Sequence, residues 1–255
     1  MPASQYHVTP QGRRLAFKQT RARDAAARPG VVFLGGFRSD MTGTKAEYLE
    51  EFVTKKGLSF LRFDYSGHGV SDGTFEEGCI GDWAEDAAEL IGERTDGPQL
   101  LVGSSMGGWI ALLLAKRMAP RVAGLIGIAA APDFTQDSMW AGFDSDQRAT
   151  LVREGQLSVP SEYSDAPYVI TKRLIEDGRD HLVLRDPLPL PFPVRLLHGT
   201  ADADVALSVP LRLIEHASCP DMRLTLVKDE DHRFSSDTAL DLLGRTLSDM
   251  IEAAQ

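Results

Sequence analysis

Cysteine is scarce in this chain, and so are long apolar runs and excess positive charge. Cys79 and Cys219 are the two cysteines in 255 residues, too few for a disulfide framework and without the spacing of a metal site. They read as small buried or half-buried thiols in a reducing compartment, which points to a cytoplasmic protein. No stretch approaches the roughly 18 consecutive apolar residues of a membrane span, and the N-terminus lacks the apolar core of a secretory signal. No stable membrane anchor is therefore expected. Lysine and arginine number 27 against 37 for aspartate and glutamate, a net charge of −10, which argues against nucleic acid and anionic membrane surfaces as partners. The first residues are locally basic (Arg13, Arg14, Lys18, Arg21, Arg23 and Arg28 against Asp24), a faint transit-peptide bias. The preferred reading is a short hairpin, Tyr6-His-Val8 and Leu15-Ala-Phe-Lys18 around Pro10-Gln-Gly12.

What is there is a repeating pattern of short apolar run, loop and amphipathic stretch. Val31–Leu34 ends in Gly35-Gly36; a helical period follows over about 44–56, closed by Gly57. Then come Leu58–Phe63, a glycine-rich loop, a helix over about 80–94, a strand at 99–102, a helix at 106–118 and a strand at 122–128. Alternation of this kind predicts a mostly parallel sheet with helices on both faces, in one domain. The rhythm breaks over 133–191, where weak helical patterns, the aromatics Phe134, Trp140 and Phe143, and a proline-rich exit read as a helical lid insertion. It resumes with a strand at 194–197, a helix near 205–216, a strand at 224–227 and a last helix near 238–253.

Gly103-Ser-Ser-Met-Gly107 follows one strand and opens a helix, the strand–turn–helix setting of a nucleophile elbow. The central Ser105 would take a strained backbone conformation that lifts its hydroxyl clear, and side chains at 103 and 107 would collide there. Ser104 is the rival but lacks the symmetric glycines. A serine hydroxyl needs a base. Of the six histidines, His7, His181, His198 and His216 fall in a hairpin, the insertion, a strand end and a helix end, while His68 suits a turn. His232 lies in the loop after the last strand, at the sheet end where α/β enzymes place their chemistry. The orienting acid should come between serine and histidine in chain order. Asp202 and Asp204 both follow a strand; Asp204 precedes a predicted helix and suits an N-cap, which favours Asp202. Asp133 is an outside candidate. Oxyanion donors are expected from the amides of Met106, after the nucleophile, and Phe37, in the glycine loop after an earlier strand.

With these in register, the chain resembles the α/β-hydrolase superfamily, and more narrowly the family of mitochondrial palmitoyl-protein thioesterase and mycophenolic acid acyl-glucuronide esterase. The stretches that carry it are Gly36–Ala46, Arg62–Gly73, Gly103–Trp109, Arg195–Asp202 and Asp231–Arg233. The resemblance implies the triad Ser105, Asp202 and His232, and a small-molecule acyl ester or thioester, or an acylated protein, as substrate. Gly35 stands where the family tends to have proline, leaving that loop less constrained, and the long targeting extension is missing, as in a bacterial-type relative. Neither a metal cluster nor a dinucleotide fingerprint appears, so no cofactor is expected. An acyltransferase using the same triad, or a silent binding protein on the scaffold, stays open. The insertion holds eleven acids against six bases, a net of −5, so it is expected to favour neutral acyl chains. Phe134, Met139, Trp140 and Phe143 follow a strand's carboxyl end and are expected to wall an apolar pocket, the alternative being that they only pin the insertion to the core; Arg38 is expected to meet a single carboxylate.

Overall fold

Val31–Leu34 is apolar at every position, so a strand there must be covered on both faces. A computed structural model places it so, and describes residues 4–22, 28–160 and 167–254. Arg23, Asp24, Glu162 and Asp165 therefore lie outside the described residues. The chain runs through β1 (Gln5–Val8), β2 (Arg14–Thr20), β3 (Gly30–Leu34), α1 (Thr44–Lys55), β4 (Phe60–Phe63), α2 (Ile80–Arg94), β5 (Gln99–Ser104), α3 (Met106–Arg117) and β6 (Val122–Ile128). Next come a π-helical turn (Thr135–Trp140), α4 (Ser145–Glu154), β7 (Gln156–Val159), β8 (Tyr168–Thr171), α5 (Lys172–Asp180) and β9 (Leu188–Pro189). The last elements are β10 (Val194–Gly199), α6 (Ser208–His216), β11 (Ala217–Ser218), β12 (Met222–Val227) and α7 (Asp237–Ala253).

The main sheet has the order β1-β2-β4-β3-β5-β6-β10-β12. The hairpin β1–β2 joins β4 antiparallel, and every pairing from β4 to β12 is parallel. One core cluster holds Trp83, Trp109 and Leu90 with α2 and α3; the other holds Phe60, Val53 and Leu243 with α1 and α7. The chain leaves β3 for β4 on one side, then returns to β5 on the other. Loops leaving adjacent strands at such a reversal point apart, and the gap between them is where open α/β sheets bind ligands. No helix among the described residues is long and apolar enough to cross a membrane.

Three expectations need correction. The insertion is not wholly helical: β7 and β8 pair antiparallel, in runs of four residues too short for periodicity to distinguish from loop. The helix expected near 205–216 begins at Ser208 with Leu207 as its N-cap, so Asp204 is not the N-cap of α6. Asp133, weighed as an orienting acid, is fully buried and accepts the Val183 and Leu184 amides at 2.8 and 3.0 Å, with Arg185 at 3.2 Å. It ties the start of the insertion to its end. Asp133→Ala would strand two buried N–H groups and is expected to cost about 2–4 kcal/mol, read as a lower urea midpoint; an unchanged midpoint would contradict the role.

Candidate active site

The elbow forms where β5 turns into α3. Ser105 sits at φ 53°, ψ −118°, a conformation that costs a non-glycine residue roughly 1–3 kcal/mol. Its N–H donates to the Ile128 carbonyl at 2.9 Å, and its own carbonyl accepts from Gly108 and Ala131 at 2.9 and 3.1 Å. These bonds hold the strained turn. A Cβ at Gly103 would come within 2.3 Å of the Gly107 carbonyl oxygen, and one at Gly107 within 2.1 Å of the Leu34 oxygen. Both glycines are therefore steric requirements. Ser104 is buried at the same turn.

The structure brings Ser105, His232 and Asp202 into one hydrogen-bonded chain. His232 Nε2 lies 3.1 Å from Ser105 Oγ, and its Nδ1 lies 2.9 and 3.0 Å from the Asp202 oxygens. A carboxylate can only accept, so Nδ1 carries the proton and Nε2 is free to accept the serine hydroxyl. Asp202 Oδ1 also accepts the Asp204 and Val205 amides at 3.0 and 2.9 Å. Burial pushes the Asp202 carboxyl up, but the His232 and Val205 bonds and the charges of His232 and His198 outweigh it and leave the pKa below its usual value. The acid is thus ionised and fixed in orientation. His198 is buried beside it, 3.7 Å from Asp202, and its Nε2–H donates to the Val205 carbonyl at 3.0 Å.

The other histidines are spent elsewhere: His7 on Glu89 at 3.1 Å, His181 on Asp177 at 3.4 Å, and His216 on the Asp186 carbonyl at 2.8 Å. Asp202, Asp204 and His232 place ligand-type atoms within 4.8 Å of one another, but both imidazole nitrogens are already engaged, which suits proton transfer rather than metal ligation. Cys79 is buried and its thiol is pushed up to about 12, chiefly by that burial, so it is no rival nucleophile.

The loop after β3 closes on the elbow: a Cβ at Gly36 would meet the Ser105 Cβ and the Ser104 carbonyl oxygen at 3.4 Å. Met106 opens α3, where a helical N–H has no intrahelical acceptor and the helix dipole favours negative charge. Ser39 N–H and Oγ–H both donate to the Gly36 carbonyl, at 3.1 and 2.8 Å. That carbonyl shares its peptide unit with the Phe37 N–H, so the Ser39 turn sets the direction of the Phe37 amide. This closure supplies rigidity that Gly35, without proline's ring, does not.

A cavity of about 480 Å³ opens over Ser105 and His232, walled by Phe37, Phe134, Met139 and Tyr168. Phe134 stacks edge-on against Phe37 and Trp109, with centroids 5.6 Å away in each case. Two expectations about its walls change. Trp140 does not line it: the ring lies under the Arg148 and Arg179 guanidinium groups, at 5.4 and 4.7 Å, and packs on the core. Arg38 does line it, but its guanidinium pairs with Glu76 at 2.7 Å and lies over the Phe75 and Tyr168 rings. It works as a latch between the loop after β3 and β8 rather than as a free carboxylate receptor. Lys45, in the first turn of α1, also lines the cavity and donates to the Arg233 carbonyl. Burial lowers its pKa to about 8, against the opposing charge of Asp231. Its signal in the sequence is only its place at the start of α1, just after the glycine loop.

Comparison with known proteins places this geometry. The alpha/beta hydrolase family model matches residues 31–251. The mitochondrial palmitoyl-protein thioesterase of Rattus norvegicus is 36% identical over 239 residues, covering 93% of this chain and 79% of that one. The structure of alpha/beta hydrolase domain-containing protein 10 from mouse superposes with a TM-score of 0.91 at 33% identity, over 100% of both chains. A structure from Agrobacterium vitis S4, assigned as a hydrolase, gives a TM-score of 0.92 at 38% identity over 98% of this chain and 100% of that one. The chain belongs to the alpha/beta hydrolase family and is a hydrolase.

Proposed function

We propose that the protein hydrolyses acyl esters or acyl thioesters through a covalent intermediate on Ser105. The observation that carries this reading is the Ser105–His232–Asp202 hydrogen-bonded chain on the floor of a largely apolar cavity. His232 Nε2 takes the hydroxyl proton as Ser105 Oγ bonds to the substrate carbonyl carbon, and Asp202 stabilises the imidazolium. The carbonyl oxygen becomes the oxyanion, facing the amides of Phe37 and Met106. Collapse expels the alcohol or thiol with the proton returned by His232, leaving an acyl-serine. Water then repeats the sequence and frees the acid. Phe37, Phe134, Met139 and Tyr168 give an acyl chain an apolar wall.

Residues 133–191 act as the lid in this reading, since the π-helical turn and β8 both contribute to the cavity. The relatives' name, palmitoyl-protein thioesterase, supports long-chain thioesters and acylated proteins as the substrate class. The described cysteines, both free thiols, support a cytoplasmic site of action. A panel of p-nitrophenyl esters, acyl thioesters and acyl glucuronides on purified protein tests the assignment; turnover of none of them would overturn it.

The insertion's net charge of −5 within a chain of −10 predicts a further preference. An acidic rim slows encounter with a polyanion, and salt relieves the effect. The kcat/KM for a neutral thioester is expected to exceed that for the matching acyl-CoA at low salt, with the gap narrowing as ionic strength rises. A CoA ester that is favoured at low salt and loses ground as salt rises would show a locally basic mouth instead.

A further inference from the structure

His68 lies in the turn after β4, Tyr65-Ser-Gly-His-Gly69, and is only 3% exposed. None of the steps above uses it. Its two ring nitrogens nevertheless meet partners of fixed polarity. The Arg38 backbone N–H points at Nε2 from 3.3 Å, and the Ser66 carbonyl lies 3.2 Å from Nδ1. An amide N–H can only donate and a carbonyl can only accept. The imidazole is therefore neutral, protonated at Nδ1, with Nε2 left as an acceptor.

The surroundings keep it in that form. The rings of Tyr65, Phe75 and Trp83 stand edge-on to it, with centroids at 5.5, 5.1 and 5.0 Å. Burial, aided by the Arg38 charge and opposed by the Ser66 carbonyl, pushes its pKa down to about 4. The bond it accepts falls at a sensitive place. Arg38 is a non-glycine residue at φ 57°, a conformation that must be held by its neighbours. The Arg38 N–H belongs to the peptide unit directly after Phe37, while the Ser39 turn holds the unit directly before it.

We propose that His68 is a positioning residue for the oxyanion loop: by accepting the Arg38 N–H it fixes the peptide unit after Phe37, so that the Phe37 amide stays aimed at the oxyanion formed on Ser105. A ring that only filled space would not need a nitrogen facing an amide from thirty residues upstream. The inference rests on the proposed roles of Ser105 and Phe37. It places the Phe37 amide under control of two side chains, Ser39 and His68, from opposite ends.

The test compares His68→Phe, which keeps a packed ring and removes both bonds, with His68→Gln, whose side-chain oxygen reaches the acceptor position. With a p-nitrophenyl ester, His68→Phe is expected to lower kcat roughly ten- to a hundredfold with KM within about threefold, as expected for a misaimed oxyanion donor. Its rate of labelling by a fluorophosphonate, which places an oxygen in the same hole, should fall in parallel. His68→Gln should recover to within about fivefold of the wild type, because the acceptor is restored. Unchanged kcat in His68→Phe, a loss confined to KM, or a glutamine variant no better than phenylalanine would overturn the proposal. Should His68→Phe fail to fold, a long-range ¹H–¹⁵N spectrum of the wild type decides: a proton on Nδ1 is expected, and one on Nε2 overturns it. Wild-type labelling away from Ser105 would instead bring down the underlying catalytic reading, so the two failures are distinguishable.

Discussion

Asp202→Asn is expected to lower kcat by roughly 10⁴-fold with the fold intact, because it installs the wrong imidazole tautomer. The local contacts say which way the new amide would face. Oδ1 accepts the Asp204 and Val205 N–H groups, so the asparagine oxygen must stay there. Its NH₂ then takes the Oδ2 position, 2.9 Å from His232 Nδ1. The tautomer in which that NH₂ donates to Nδ1 carries its proton on Nε2 and cannot accept from Ser105; it competes with the one in which Nδ1–H still donates to the oxygen at the Oδ1 position, 3.0 Å away. Asp204→Asn is the control: its side chain does not cap α6, and kcat is expected to stay within about tenfold, since an exposed charge is screened by solvent. Steady-state kinetics on both variants, with melting curves to confirm folding, make the comparison. The reverse ranking would move the orienting role to Asp204.

Ser105→Ala carries the largest expected effect, a fall in kcat on the order of 10⁶-fold, since the members of such a triad act as a unit. The backbone bonds at Ser105 do not use its hydroxyl, so the elbow should survive and the variant should still bind substrate. Residual turnover more than about a thousandth of wild type, with the same substrate and pH, would point to Ser104 or to a nucleophile outside the elbow. Equally, loss of activity with loss of fold would be uninformative about chemistry, which is why binding of a non-cleavable thioether analogue should be measured alongside; retained binding is the expected result.

Much of this site is readable in the sequence because its determinants are local. The elbow needs a strand, two small residues flanking the serine and a helix, all within a short stretch, and the would-be Cβ contacts at Gly103 and Gly107 show why no larger residue substitutes. The placement of His232 and Asp202 follows from loop position at the sheet's carboxyl end. Other features depend on pairings distant in the chain. The Arg38 guanidinium is taken up by Glu76 and Tyr168, 38 and 130 residues onward in the numbering, so its isolated cationic character misled. Trp140 is expected at the cavity from its place soon after a strand end, but the π-helical turn changes which faces its residues present, so Met139 lines the cavity as expected while Trp140 packs on the core. Asp204 resembles a cap because the apolar pattern of α6 extends back to Val205 in the sequence, whereas the helix starts at Ser208. Lys45 reaches the cavity because α1 follows the loop from β3 directly, and that loop meets Ser105 only once β3 and β5 are adjacent.

Ser105 is expected to become covalently acylated during turnover. Intact-protein and peptide mass spectrometry after treatment with a fluorophosphonate, and after acid-quenched turnover of a long-chain thioester, tests it most directly. One adduct per chain is expected, mapped to the peptide containing Gly103-Ser-Ser-Met-Gly107 and fragmenting to Ser105, and it should disappear in Ser105→Ala. An adduct on any other residue of the active wild type, or one that persists unchanged in Ser105→Ala, would contradict it.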